Sequence, residues 1–296
     1  MKAHWIVRYF ICIVKTFTLL LKSQPSIVFA QSPSILLAAL AVSWGKLFNV
    51  PIVIDAHNGG LFPFNGAKWW ANKLVRYTIR RADLVLVSNQ RLENHIEVNH
   101  GRAFVLPDPI PEFRNSSDQI VLKGKYSVVF VCTYSEDEPY IEVIKAAEKL
   151  DKDVYLYVTG NSKGREKEWK AIMPQNVILT GFLSESEYLK LLYSADIVMA
   201  LTTREDCLLC GAYEGIAVER PLIVSDTEVL KEHFSKGTLY VKNESTDIAS
   251  KVHLAIGNLE SLRKELRDLK RERIEQWQER KVMLEEILRH LKTGQS

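Results

Sequence analysis

Short apolar runs alternate with helical patterns along nearly the whole chain, and the alternation runs twice. In the first pass, residues 26–30, 51–55, 84–88 and 104–106 read as buried strands. Helical patterns lie between them at 33–48, 68–81 and 91–99. Pro107, Pro109 and Pro111 then break regularity, and the polar stretch 112–125 reads as a linker. After it the pattern restarts, with strands at 126–132, 154–158, 177–179, 196–201, 222–226 and 239–241. The helices of this second pass are expected at 140–150, 163–172, 185–194 and 211–218, and from 247 onward. Uniformly apolar strands separated by helices belong to parallel sheets covered on both faces. The expectation is an α/β protein with two parallel-sheet domains, 1–112 and 113–275. A charged terminal helix, 276–296, packs back on the body through apolar residues at helical spacing, among them Trp277, Leu284 and Ile287.

Charge is unevenly spread. Residues 1–115 carry 13 Lys and Arg against 6 Asp and Glu, whereas the remainder carries 26 against 30. A basic first half faces an anionic partner. No nucleic-acid motif or aromatic–basic interleaving on a strand is present, so a membrane surface or a phospholipid-linked substrate fits better than nucleic acid. Residues 5–21 form a hydrophobic helical pattern interrupted by Arg8 and Lys15, seven apart and on one face. That pattern suits packing on a sheet or lying on a membrane rather than crossing one. The helix at 68–81 opens with Trp69 and Trp70 and carries Lys73, Arg76 and Arg80 on one side. This stripe is either a solvated face or a headgroup surface. Four cysteines in 296 residues point to reduced thiols. Cys207 and Cys210 make a lone CxxC without the second pair or histidine that a zinc site needs.

The most informative stretch for chemistry is 203–226. A buried strand delivers the chain into a polar loop carrying Asp206. A short helix bearing Glu214 follows, and Arg220-Pro221 closes it before the next strand. In a βαβ unit the ligand end lies at the carboxyl ends of the strands. Two carboxylates beside a helix N-terminus can serve a nucleotide, with backbone N–H groups meeting phosphate and an acid accepting from hydroxyls. Asp206 as a plain helix cap and Glu214 as a solvated acid is the alternative that local sequence leaves open.

Four stretches, residues 24–33 with 50–58, 82–89 with 105–111, 179–182 with 193–197, and 203–226, resemble in order the GT-B glycosyltransferases of the GT4-like, group 1 family. The resemblance covers most of residues 24–290. It implies two Rossmann-like domains around a cleft, and sugar transfer from a nucleotide-sugar donor, UDP- or GDP-linked, with no tightly bound cofactor and no metal. Asp206 and Glu214 match the first and second acidic places of the family's E-x7-E element. Glu214 is then implied to bind the ribose hydroxyls and Asp206 the transferred sugar. The backbone N–H groups of Cys207, Leu208 and Leu209 face the pyrophosphate. Gly181 and Phe182 border the base, and Asn161 belongs to the donor site. His57 occupies the place of a catalytic histidine that touches the reacting sugar or steers the acceptor hydroxyl.

Two departures stand out. Where the family carries an Arg and a Lys after the first donor-domain strand, this chain reads Cys132-Thr-Tyr-Ser-Glu-Asp-Glu-Pro139. It is similar there to the Asp-Glu loop of mannosyltransferases acting on dolichol-linked chitobiose. Neutralising the leaving diphosphate then falls to helix N-termini or to Lys163, Arg165 or Arg204. The acceptor domain also lacks a counterpart of the usual first strand before residue 24, which implies a short domain or one completed by a partner chain. The resulting expectation is a glycosyltransferase at the cytoplasmic face of the membrane, acting on a lipid-linked or polysaccharide acceptor in cell-surface polysaccharide synthesis. The alternatives are a non-catalytic or partner-dependent subunit and a sugar-nucleotide epimerase of the same fold.

Overall fold

A computed structural model describes residues 2–32, 34–113, 119–164, 167 and 173–294, the side chains of 2–6 excepted. The chain divides into two compact units, 1–108 with 277–296, and 109–276. All ten strands expected from the sequence are present, and every strand pair is parallel.

In the first unit, β1 (Val28–Ser32), β2 (Ile52–Ala56), β3 (Leu84–Val87) and β4 (Ala103–Val105) lie side by side in chain order. Helices α1 (Lys2–Ser23), α2 (Ile35–Phe48), α4 (Trp69–Arg81) and α5 (Gln90–Val98) alternate with them, and α3 (Asn58–Leu61) is a single turn after β2. Strand pleating sends successive side chains to opposite faces. Ile52, Ile54, Val85 and Val87 therefore pack with Ala38, Val42, Val75 and Ile96 of the helices on one face. Val53, Leu84, Leu86 and Phe104 point to the other, where Leu284 completes a separate cluster.

The second unit contains β5 (Tyr126–Phe130), β6 (Val154–Thr159), β7 (Val177–Gly181), β8 (Ile197–Ala200), β9 (Leu222–Ser225) and β10 (Thr238–Val241) in the spatial order 7-6-5-8-9-10. This is the doubly wound Rossmann order, whose switch point falls between β5 and β8. Its helices are α6 (Tyr140–Ala146), α7 (Glu185–Ser194), α8 (Cys210–Ala217), α9 (Glu228–His233) and α10 (Ser245–Gly257). The first 18 residues of α11 (Leu259–Thr293), 259–276, also belong to this unit. Ser184 caps α7 in the expected capping box with Glu187. The helix expected at 163–172 lies largely outside the described residues. Parts of the linker are stitched onto this unit, where Ile120 N donates to Ser194 Oγ at 2.7 Å and Lys123 N to Tyr157 Oη at 2.7 Å.

One device recurs in both units. Asp83, just before β3, donates its N–H to Ile52 O and accepts the Ile52 N–H on its carboxylate at 2.8 Å. Asp196, just before β8, does the same with Ser127, its carboxylate taking the backbone N–H at 2.9 Å and the hydroxyl at 3.0 Å. Each aspartate thus satisfies a backbone donor at the start of the neighbouring strand and helps fix its register.

Candidate functional site

At the second unit's switch point, the loops leaving β5 and β8 run beside one another, as neighbouring strands require. The β5 loop is the acidic one, and two of its three acids, Asp137 and Glu138, are committed within the unit. Glu138 accepts from Thr133 N at 2.9 Å, Ser135 N at 2.8 Å and the Thr133 hydroxyl at 3.1 Å, so its carboxylate fills a small nest of donors. Tyr134 adopts a left-handed φ of 58° between them. Asp137 reaches the β8 loop instead, accepting from Thr202 Oγ1 at 2.9 Å and lying 3.4 Å from Arg204 Nε. Arg204, expected as a diphosphate contact, therefore already has an anionic partner within its own unit.

The β8 loop carries Asp206, half-buried, and ends at Leu209, which precedes α8 without any side-chain cap. Other helices of this unit start under Ser184 or Thr227 hydroxyls. Backbone donors at the start of an uncapped helix suit an anionic group. Burial pushes the Cys207 thiol up to about 11, with Asp137, Cys210 and Asp206 adding to the shift and Arg204 opposing it. That thiol is protonated at neutral pH.

Helix α8 sits deep because two glycines let it. A Cβ on Gly211 would stand 2.7 Å from Val131 Cβ, and one on Gly215 would stand 2.3 Å from Leu222 Cδ2. From Gly211 to Ala217 every residue is buried except Glu214. Its carboxylate accepts from the Tyr188 hydroxyl at 2.5 Å. Desolvation raises the Glu214 pKa, and the Tyr188 hydrogen bond pulls it down. The Tyr188 phenol is pushed above the usual tyrosine range by burial and by the Glu214 charge. One Glu214 oxygen is thus held by Tyr188, which leaves the other able to accept from a ligand hydroxyl. The sequence reading missed Tyr188. Its signal was faint: a tyrosine four residues after Ser184, on a helix edge.

The other expected donor-site residues sit at strand carboxyl ends of the same unit. Gly181 ends β7 at a left-handed φ of 69°, and the Phe182 ring beside it is 85% exposed. Asn161 follows β6, its side-chain oxygen accepting from Lys163 N at 2.8 Å. Lys163 is exposed, and Arg165 lies outside the described residues.

In the first unit, strand register places Gln31 beside Asp55 at the carboxyl ends of β1 and β2. His57 follows directly. Its Nε2 lies 3.1 Å from the Gln31 amide nitrogen and 3.6 Å from Asp55 Oδ2. The Gln31 amide donates to that ring nitrogen. Asp108 joins this group electrostatically. Desolvation raises its pKa, His57 lowers it and Asp55 raises it. Gly60 lets the loop close on β1, since a Cβ there would stand 2.0 Å from Ser32 Oγ. Neither Gln31 nor Asp108 was assigned a role from sequence, because each becomes chemical only through the strands' carboxyl ends. Among the described residues, no group of His, Cys, Asp and Glu is arranged to hold a metal ion.

Two parallel sheets, the second in Rossmann order with its crevice at the switch point, define the GT-B class of fold. Residues 125–258, within the second unit, match the family model described as Glycosyl transferases group 1. Solved structures of similar fold include Anabaena Alr3699/HepE in complex with UDP-glucose. It has 12% identity over 93% of this chain and 82% of that one, with a TM-score of 0.73. Sucrose-phosphate synthase from Thermosynechococcus elongatus has 16% identity over 95% and 77%, at 0.75. A putative UDP-N-acetylglucosamine 2-epimerase from Listeria monocytogenes has 13% identity over 86% and 71%, at 0.56. Comparison with curated protein sequences gives no match.

Proposed function

We propose that the protein transfers a sugar from a nucleotide donor, UDP- or GDP-linked, to a lipid-linked or polysaccharide acceptor in cell-surface polysaccharide synthesis. Its place of action is the inner membrane face. The single observation that carries the donor assignment is Glu214, the one half-buried residue among the buried residues 211–217, with one carboxylate oxygen accepting from Tyr188. Ribose hydroxyls are donors of the right kind for the other oxygen. The uncapped α8 N-terminus, with the backbone of Cys207, Leu208 and Leu209, takes the pyrophosphate, and Asp206 meets the transferred sugar. Phe182 and Gly181 border the base. Asn161, Lys163 and Arg165 complete the donor site in this reading, while Arg204 contributes only by leaving Asp137. His57, oriented by Gln31 and Asp55, contacts the reacting sugar or the acceptor hydroxyl. HepE in complex with UDP-glucose supports a UDP-linked donor.

Thermal shift with UDP and GDP tests the donor site, because a ligand stabilises the fold according to its occupancy. A stabilisation by one of them is expected, reduced in Glu214→Ala by about 10-fold in affinity, the loss of roughly one charged hydrogen bond. Unchanged affinity in that variant removes Glu214 from the site. Donor turnover without any acceptor would favour the epimerase reading. Activity that appears only with a second co-purifying chain would favour the partner-dependent one.

A further inference from the structure

We infer that α1 and α2 seat the protein on an anionic phospholipid bilayer, one lipid chain entering the groove between the two helices. The inference sharpens the membrane-side reading proposed above and does not require that sugar transfer be correct. Residues 1–54 contain no Asp or Glu, against Lys2, Arg8, Lys15, Lys22 and Lys46. Phe17 and Leu20 of α1 pack inward, Phe17 meeting Phe48 of α2 with ring centroids 6.1 Å apart. The N-terminal half of α1, residues 7–15, is exposed all round, with Val7, Phe10 and Val14 at 55%, 66% and 48% exposure. Exposed aliphatic and aromatic side chains interspersed with cations alone are the composition of an interfacial helix on acidic headgroups. No described helix is long and apolar enough to cross a membrane.

The groove gives the surface a specific content. It encloses about 470 Å³ between α1 and α2, walled by Ile13, Leu36, Leu37 and Leu40, with Arg8 and Cys12 on the α1 side. Apolar walls beside a guanidinium match one hydrocarbon chain below an anionic headgroup. Helix α4 widens the same acid-free surface. It touches α2, with Ser43 Oγ and Tyr77 Oη 3.1 Å apart, and it exposes Trp69 and Trp70 beside Lys73. Ser34, which lines the groove, caps α2 only three residues after Gln31. The groove therefore opens at the same end of the sheet as Gln31, Asp55 and His57.

Cys12 is an exposed thiol in the groove, and Cys210 is an exposed thiol in the other unit. Maleimide alkylation of both is followed by peptide mass analysis, with phosphatidylcholine vesicles, phosphatidylcholine–phosphatidylglycerol vesicles, or inorganic phosphate. The protein is expected to float with the anionic vesicles. These should slow Cys12 alkylation about tenfold without changing Cys210, an effect that high salt reverses. Absence of flotation, unprotected Cys12 on floated protein, equal protection by neutral vesicles, or protection by phosphate alone overturns the inference. So does Cys12 protection that grows with protein concentration in the absence of vesicles, which would assign the groove to a second copy. Leu37→Glu is expected to lose flotation while keeping its stabilisation by UDP or GDP, which separates this surface from the donor site.

Discussion

Glu214 shows how a desolvated carboxylate costs stability. Because desolvation raises its pKa, the folded protein binds its proton more tightly than the unfolded chain does. Its contribution is favourable at low pH and lost as pH rises through the folded-state value. Glu214→Gln should therefore stabilise the ligand-free protein at pH 7.5 by about 1 kcal/mol, seen as a higher Tm, with the difference shrinking as pH falls through the raised folded-state value toward 4.5. Calorimetry across that range reads it directly. His233 works in the opposite sense. Burial, then the Arg273 charge, holds its pKa down to about 3, and its ring packs against both Tyr213 and Phe234. A histidine kept neutral in the fold loses stability as pH drops below the ordinary 6.5 toward 3. In His233→Phe the acid limb of stability against pH should flatten over that window. Glu138 is a third case, an internal anion in a nest of donors. Its replacement by Ala should cost about 2 kcal/mol in urea unfolding, and added sulfate should stabilise the variant more than the wild type.

At the scale of elements, the two strand-entry aspartates carry matching work. Asp196 serves three donors, the Ser127 backbone and hydroxyl and Arg263 at 3.3 Å, whereas Asp83 serves the Ile52 N–H and lies 3.9 Å from Lys46. Asp196→Ala should consequently destabilise more than Asp83→Ala, about 3 against about 1.5 kcal/mol by chemical denaturation. These strands were legible in the sequence because a strand buried on both faces is an unbroken apolar run, and α7 was legible through its capping box. Helices α3 and α9 were not. The first is one turn of Asn-Gly-Gly-Leu, and the second is six residues between β9 and β10, both too short for a helical period to show. Residues of the proposed donor site could be named from sequence where a motif fixed their spacing, as for Asp206 and Glu214. Tyr188 beside Glu214, and Gln31 and Asp108 near His57, could not, since their meaning comes from through-space neighbours. The acidic β5 loop could be seen, but not that Asp137 reaches Arg204 and that Glu138 folds back on its own backbone.

For the whole molecule, the division into units does not follow chain order. One face of the first sheet, Val53, Leu84, Leu86 and Phe104, is covered by Leu284, Ile287, Leu288 and Leu291 near the far end of the sequence. Trp277 Nε1 donates to Pro107 O at 3.1 Å, and the Arg280 guanidinium stands 5.6 Å from the Phe104 ring centroid. Leu284→Asp should therefore unfold the first unit selectively, by roughly 3 kcal/mol for a charge placed in that cluster. Amide exchange by mass spectrometry should show faster exchange in β2 and β3 while β5 and β8 stay protected.

That arrangement has a consequence on the ribosome. By the time residue 108 has emerged, the four strands of the first sheet are available, yet the side chains that shield one of their faces have not been made. The second unit, contiguous from 109 to 276, can close first and alone. The nascent first sheet must then wait with an apolar face bare through the synthesis of some 170 residues, an interval in which a chaperone has something to hold.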